Sequence, residues 1–240
     1  MKKISLYYVV VLLCAVVQGA WAQAPVPSTE LEPYITTLGN RMVYKFNYPT
    51  TSVTGEPIVL SSLLACWAPK EPEEGAAIES VHIYSHYTVT SNSQCPTSYT
   101  TSSADFVVLV PLFEGYSYDE KNPYKSIVKR SIVIMPDYEG YGVSSDRTHP
   151  YLAEEITAKQ VIEAVTYGLE LYGKLNGADN TLPLKDDWRC FSIGYSQGGA
   201  AALAVQRYIE MNDLSGRKLA GRPTEKGLYI HRGKKVVMSW

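Results

Sequence analysis

Ser196 stands between two glycines in Gly194-Tyr195-Ser196-Gln197-Gly198, a spacing that could support covalent chemistry. A serine hydroxyl becomes a nucleophile when the backbone holds it clear of its neighbours and a base takes its proton. A G-x-S-x-G pentapeptide meets the first condition where a strand turns sharply into a helix. The bend strains the serine backbone and leaves room only for small residues two positions before and two after. The flanks suit that geometry: residues 188–193, WRCFSI, read as a buried strand, and the alanine-rich residues 200–211 read as the following helix, beginning near Gln197. The first helical amides and the positive end of the helix dipole then face the turn, where negative charge would develop on an oxygen during acyl transfer. The bare pattern arises by chance in roughly one chain of this length in twelve. The strand before it and the small-residue helix after it therefore carry the argument. Ser196 is the candidate nucleophile, the Gln197 amide a candidate oxyanion donor, and Tyr195 a candidate wall of the substrate pocket.

The rest of the chain must position that turn. Residues 78–89, IESVHIYSHYTV, read as a strand ending in polar residues, and the loop after such a strand can donate the second oxyanion amide, which makes Tyr87 and Thr88 candidates. His86 precedes Ser196 in the chain and is expected to be structural or to line the pocket. Residues 131–135, SIVIM, read as a short buried strand whose carboxyl end opens into Pro136-Asp137-Tyr138-Glu139-Gly140-Tyr141-Gly142. Ligands bind at that edge of open α/β sheets, so Tyr138 and Tyr141 are candidate acyl-pocket residues, while Asp137 is expected to cap local amides. Residues 151–172 read as a helix with Thr148 or His149 near its cap, Pro150 in its first turn, and Leu152, Ile156, Val165 and Leu169 as a core stripe. Strand, crossover helix and strand in that order imply parallel pairing.

Upstream, alternation over residues 43–48, the turn Thr54-Gly55-Glu56-Pro57 and the apolar run 58–67 predict a hairpin. Residues 23–40 read as a leader with one short helical turn around 31–38, residues 70–75 as a solvated acidic turn and residues 90–101 as an exposed Ser/Thr-rich loop; residues 104–112 suit strand or helix. With 240 residues, 45% of them hydrophobic and a net charge of -2, the chain can bury one sizeable core and lacks the cationic character expected of a nucleic-acid binder. Lys2 and Lys3, an apolar core over residues 4–17, and Ala20-Trp21-Ala22 read as a secretory signal cut after Ala22. The mature product is then expected to be secreted or periplasmic, without a stable membrane anchor. Cys66, Cys95 and Cys190 remain, with a Cys66–Cys95 bridge one option and Cys190 a small packed hydrophobe.

With these residues in hand, the chain resembles the α/β-hydrolase superfamily, and within it the secreted lipase and esterase group with a PDY-x-GYG loop. The matching residues are 136–142, the segment DRTHPY at 146–151 and the bend GYSQGG at 194–199. The hairpin turn at 54–57 is also similar. The resemblance implies a partial α/β-hydrolase fold, a mostly parallel sheet with an N-terminal antiparallel hairpin and helices on both faces. It implies hydrolysis of a small-molecule or lipid carboxylic ester with no metal or organic cofactor, Ser196 being the nucleophile and Gln197 an oxyanion amide. On this reading residues 1–22 are the signal, 23–40 the leader, 41–215 an incomplete hydrolase domain and 216–240 an atypical basic tail.

The chain departs from that pattern after the serine. The fold orders its triad as Ser, then Asp or Glu, then His, and only Glu210, Asp213, Glu225 and His231 follow Ser196. At 1.5 Å per residue the helix after Ser196 carries Glu210 and Asp213 about 20 Å away. Glu225 and His231 come earlier than the family's partners would. The tail from Arg217 to Lys235 sets seven Lys or Arg against Glu225, and a truncated or frame-shifted hydrolase without its native acid and histidine is expected. The alternatives are a peptidase of the same superfamily and a catalytically inactive binding module or fragment.

Overall fold

The computed structural model describes residues 24–38, 41–69, 71, 74–103, 130–211, 227–231 and 234–238. The expected signal segment, residues 104–112, Asp213 and Glu225 lie outside the described residues. Alternating apolar residues make β2 (Arg41–Thr51) and β3 (Pro57–Trp67) a hairpin in full register, Arg41 opposite Trp67 and Thr51 opposite Pro57. Gly55 takes a φ of 87° in the turn, which Ser52 ties with its hydroxyl against the amides of Thr54 and Glu56.

The expected helical turn in the leader is corrected to a strand. β1 (Glu32–Leu38) pairs antiparallel with β2, and Leu31 and Ile35 are buried. Their spacing of four fits a helix as well, but pairing with β2 decides the conformation, and Pro33 is tolerated because β1 lies at the sheet's edge.

Three further strands, β4 (Ile78–Ser85), β5 (Ser131–Pro136) and β6 (Leu184–Gly194), complete a six-stranded mixed sheet in the order β1-β2-β3-β5-β4-β6. Pairing is antiparallel up to β3 and β5 and parallel between β5, β4 and β6. Two helices, α1 (Glu154–Leu175) and α2 (Gln197–Met211), pack against each other on one face. That face buries Tyr44, Phe46, Tyr48, Leu60, Leu64, Val81, Ile83, Ile132 and Ile134 against Val161, Val165, Ala204 and Val205. Residues of opposite parity, Val43, Leu63, Tyr84, Val133 and Met135, form the second core with Tyr99. A separate two-stranded ribbon joins β7 (Gly227–His231) to β8 (Lys234–Met238).

Three further expectations change. Helix α1 starts later than expected, with Ala153 as its N-cap, because Leu152 takes a φ of 58° and residues 149–153 are spent on tight turns. Ile156 and Leu169 are thus half-buried and Leu152 exposed, and Ala158, Val161 and Ile162 fill the core beside Val165. Strand β6 is half-buried from Cys190 to Gly194, since it ends the sheet among the described residues. The loop at 90–101 buries Cys95 and Tyr99 and contains two short 3-10 turns, Asn92–Gln94 and Pro96–Ser98. Of the options for the cysteines, the bridge between Cys66 and Cys95 is the one not taken. Cys66 faces the helix-side core, whereas the Cys95 sulfur donates to the Asn92 carbonyl at 2.9 Å, and burial pushes that thiol up to about 11.

Candidate active site at the bend between β6 and α2

Strand β6 ends at Gly194 and α2 begins at Gln197, leaving Tyr195 and Ser196 to make the reversal. Ser196 has a φ of 54°, the left-handed region that costs an L-residue roughly 1–2 kcal/mol. The flanking glycines are required by contact distance. A methyl on Gly194 would lie 1.9 Å from the Gly198 carbonyl oxygen, and one on Gly198 would lie 2.0 Å from the Ser85 carbonyl oxygen. Both clashes are with backbone, so the bend closes only with hydrogen at these positions. Ser196 and Tyr195 are exposed, Tyr195 to 78%. The amides of Gly199 and Ala200 bond to the Ser196 carbonyl as the first turn of α2 forms. The Gln197 amide in that turn lacks an intrahelical acceptor by construction, so it can serve an oxyanion.

The end of β4 lies directly against this bend, as the close approach of Gly198 to Ser85 and His86 requires. Tyr87 and Thr88 follow at once, half-buried and exposed, with the Thr88 hydroxyl 3.4 Å from the Tyr151 hydroxyl. His86 is buried. Its Nδ1 donates to the Tyr87 carbonyl at 2.7 Å, its Nε2 has no partner among the described residues, and desolvation lowers its pKa to about 4. Tyr138 stacks on His86 at 4.0 Å and donates to the His86 carbonyl at 3.0 Å; burial raises its pKa. Tyr141 is half-buried and donates to the Val89 carbonyl at 2.6 Å, its ring 4.9 Å from that of His149. Tyr138 thus lies beneath the site in the packed interior, whereas Tyr195 stands at its surface.

The loop after β5 supplies two buried carboxylates. Asp137 accepts from the Ser61 hydroxyl at 2.7 Å and from the amide and hydroxyl of Thr97, so it pins the 92–98 segment to the sheet in keeping with its expected structural role. Desolvation outweighs these bonds and raises its pKa. Glu139 accepts from Val53, Gln160 and Arg147, and Arg147 also reaches Glu56.

Sequence reasoning missed the role of His149, which it placed only near a helix cap and within the DRTHPY match. Its Nδ1 donates to the Glu139 carbonyl at 2.7 Å, and its Nε2 meets the side-chain amide of Gln197 at 2.6 Å. The backbone of His149 packs against Gly140, where a methyl would lie 2.6 Å from the His149 nitrogen. Of the two disfavoured triad candidates after Ser196, Glu225 is outside the described residues and His231 is described only as the last residue of β7.

A mixed sheet with a parallel half, a strand-to-helix bend at its carboxyl edge and the crossover helix α1 define a partial α/β-hydrolase fold. Solved structures share it. The rice cell wall degrading esterase LipA from Xanthomonas oryzae superposes with a TM-score of 0.55 at 24% identity, covering 75% of this chain and 45% of the esterase. A mutant of the same esterase gives 0.53 at 26% identity over 71% of this chain and 38% of the esterase. A protein from Legionella pneumophila gives 0.52 at 23% identity over 70% and 38%. The chain therefore spans less than half the length of these structures. No protein-family model matches the chain, and no curated protein matches it.

Proposed function

We propose that the chain carries the nucleophile half of a serine hydrolase for small-molecule or lipid carboxylic esters, exported after removal of residues 1–22. The left-handed Ser196 between two glycines that admit no Cβ carries the reading. Likeness at 26% identity to a cell wall degrading esterase supports ester chemistry. In this reading the Ser196 Oγ attacks the ester carbonyl carbon, and the carbonyl oxygen takes the negative charge beside the Gln197 amide, with Tyr87 or Thr88 as second donor. The alkoxide leaves, and water then releases the acid from the acyl-serine.

The proton of Ser196 needs a base. The two imidazoles near the bend are already committed, since His86 and His149 each donate Nδ1–H to a carbonyl, and the remaining nitrogen is buried in one and held by Gln197 in the other. Neither imidazole is thus free to take the Ser196 proton in this reading, and the chain is expected to turn over weakly or not at all. A fluorophosphonate probe tests the nucleophile: labelling that Ser196→Ala abolishes supports it, and folded protein that takes no label refutes it. Esters of short and long acyl chains, set against aminoacyl amides, separate ester from peptide hydrolysis.

A further inference from the structure

We propose that His149 is a positioning residue for the oxyanion amide: it fixes the Gln197 side chain, and with it the first turn of α2. The inference rests on the serine-hydrolase reading and adds a residue that the reading does not use. The Glu139 carbonyl can only accept, so the His149 Nδ1 carries the proton. In the neutral ring Nε2 is then a lone pair, and the Gln197 carboxamide must present its NH2 group across the 2.6 Å contact. The carboxamide oxygen of Gln197 is buried with no partner among the described residues, which leaves the bond to His149 as the side chain's anchor there. His149 is itself held firmly. Gly140 packs against its backbone, the rings of Tyr138, Tyr141 and Tyr151 surround it at 5.9, 4.9 and 6.2 Å, and the Glu139 carboxylate is tied to Val53 and Gln160.

A chain of contacts thus runs from the β2–β3 turn and α1 through Glu139 and His149 to the residue that follows Ser196. Residue 197 would donate its backbone amide to the oxyanion, so freeing its side chain lets that donor drift. A misplacement of about 1 Å can cost about 100-fold in rate.

A double-mutant cycle tests this. His149→Asn keeps an amide able to reach the Glu139 carbonyl but falls short of Gln197; Gln197→Met keeps the length and removes the donor. Each single variant is expected to slow fluorophosphonate labelling of Ser196 about 10- to 100-fold, and the double variant no further than the slower single. His149→Gln, long enough to reach Gln197, should recover part of the loss. Independently of any labelling, the backbone 15N amide resonance of Gln197 should move in His149→Asn while the spectrum keeps its folded dispersion. Additive losses, labelling at the parent's rate in His149→Asn, or an unmoved Gln197 resonance would overturn the proposal. Labelling that survives Ser196→Ala would instead refute the serine-hydrolase reading, and the resonance would still decide the positioning role.

Discussion

Gly198→Ala isolates the steric argument for the bend. The added methyl would sit 2.0 Å from the Ser85 carbonyl oxygen and 2.7 Å from that of His86. Ser85 ends β4, which is hydrogen-bonded to β5 on one side and β6 on the other, so the oxygen cannot retreat without breaking the parallel half of the sheet. Restoring an ordinary contact instead requires the start of α2 to move by about 1 Å or more. Overpacking of this kind costs about 1–3 kcal/mol and sometimes more, and a donor displaced that far lowers labelling of Ser196 about 100-fold. Gly199→Ala is the control, because its methyl would meet the Gly194 oxygen at 3.6 Å, an ordinary distance. There the better helix propensity of alanine should add up to about 1 kcal/mol. Urea midpoints and labelling rates of the two variants, read side by side, decide. A Gly198→Ala protein with the parent's midpoint and rate, or a Gly199→Ala protein equally damaged, would refute the reasoning.

Gly173→Ala, in α1 with nothing within 4 Å of the new methyl, should raise the urea midpoint by the equivalent of about 0.5–1 kcal/mol. Asp137→Ala strands the Thr97 and Ser61 donors; it should cost about 1–3 kcal/mol and expose the 92–98 loop to limited proteolysis. His86 has its folded pKa lowered from 6.5 to about 4, so the unfolded chain binds the proton more tightly, and stability present above pH 6.5 is lost as pH falls toward 4. That loss is on the order of 3 kcal/mol, and urea midpoints measured across the window should show a flatter acid limb in His86→Gln. Ser196→Gly relieves the left-handed strain and should gain about 1 kcal/mol while abolishing probe labelling.

How much of this was legible depends on where each signal resides. Residues 43–48 carry period-two alternation and the 54–57 turn its own chemistry, so the hairpin follows from local rules. The fold of the 32–38 strand depends on β2, a partner that periodicity cannot see, and spacing of Leu31 and Ile35 by four pointed the wrong way. Pro150 suits the first turn of a helix, yet the left-handed Leu152 keeps the chain in turns and the helix starts at Glu154, three residues after the expected Tyr151. Those turns belong to the segment that sets His149 against Gln197. The same DRTHPY residues were noticed through resemblance, but a contact across 48 positions leaves no trace in spacing. Glu139 was passed over for a similar reason: its partners Val53, Arg147 and Gln160 come from three separate stretches.

The costs gathered at the carboxyl edge of the sheet bear on the choice between an enzyme and an inert scaffold. Ser196 and Leu152 adopt left-handed backbones, Gly194 and Gly198 permit contacts no other residue could, and the Gln197 oxygen and His86 Nε2 are buried without partners among the described residues. Each such feature costs on the order of 1–3 kcal/mol. A scaffold kept only for binding gains nothing from a serine in the left-handed region, where glycine would be less strained and still complete the turn. Those of these features that adjoin the bend, Gly194, Ser196, Gln197 and Gly198, accord with the serine-hydrolase reading proposed above. The contrast within the bend sharpens the point, because the two glycines stand where a side chain cannot fit and the serine stands where one is strained but exposed.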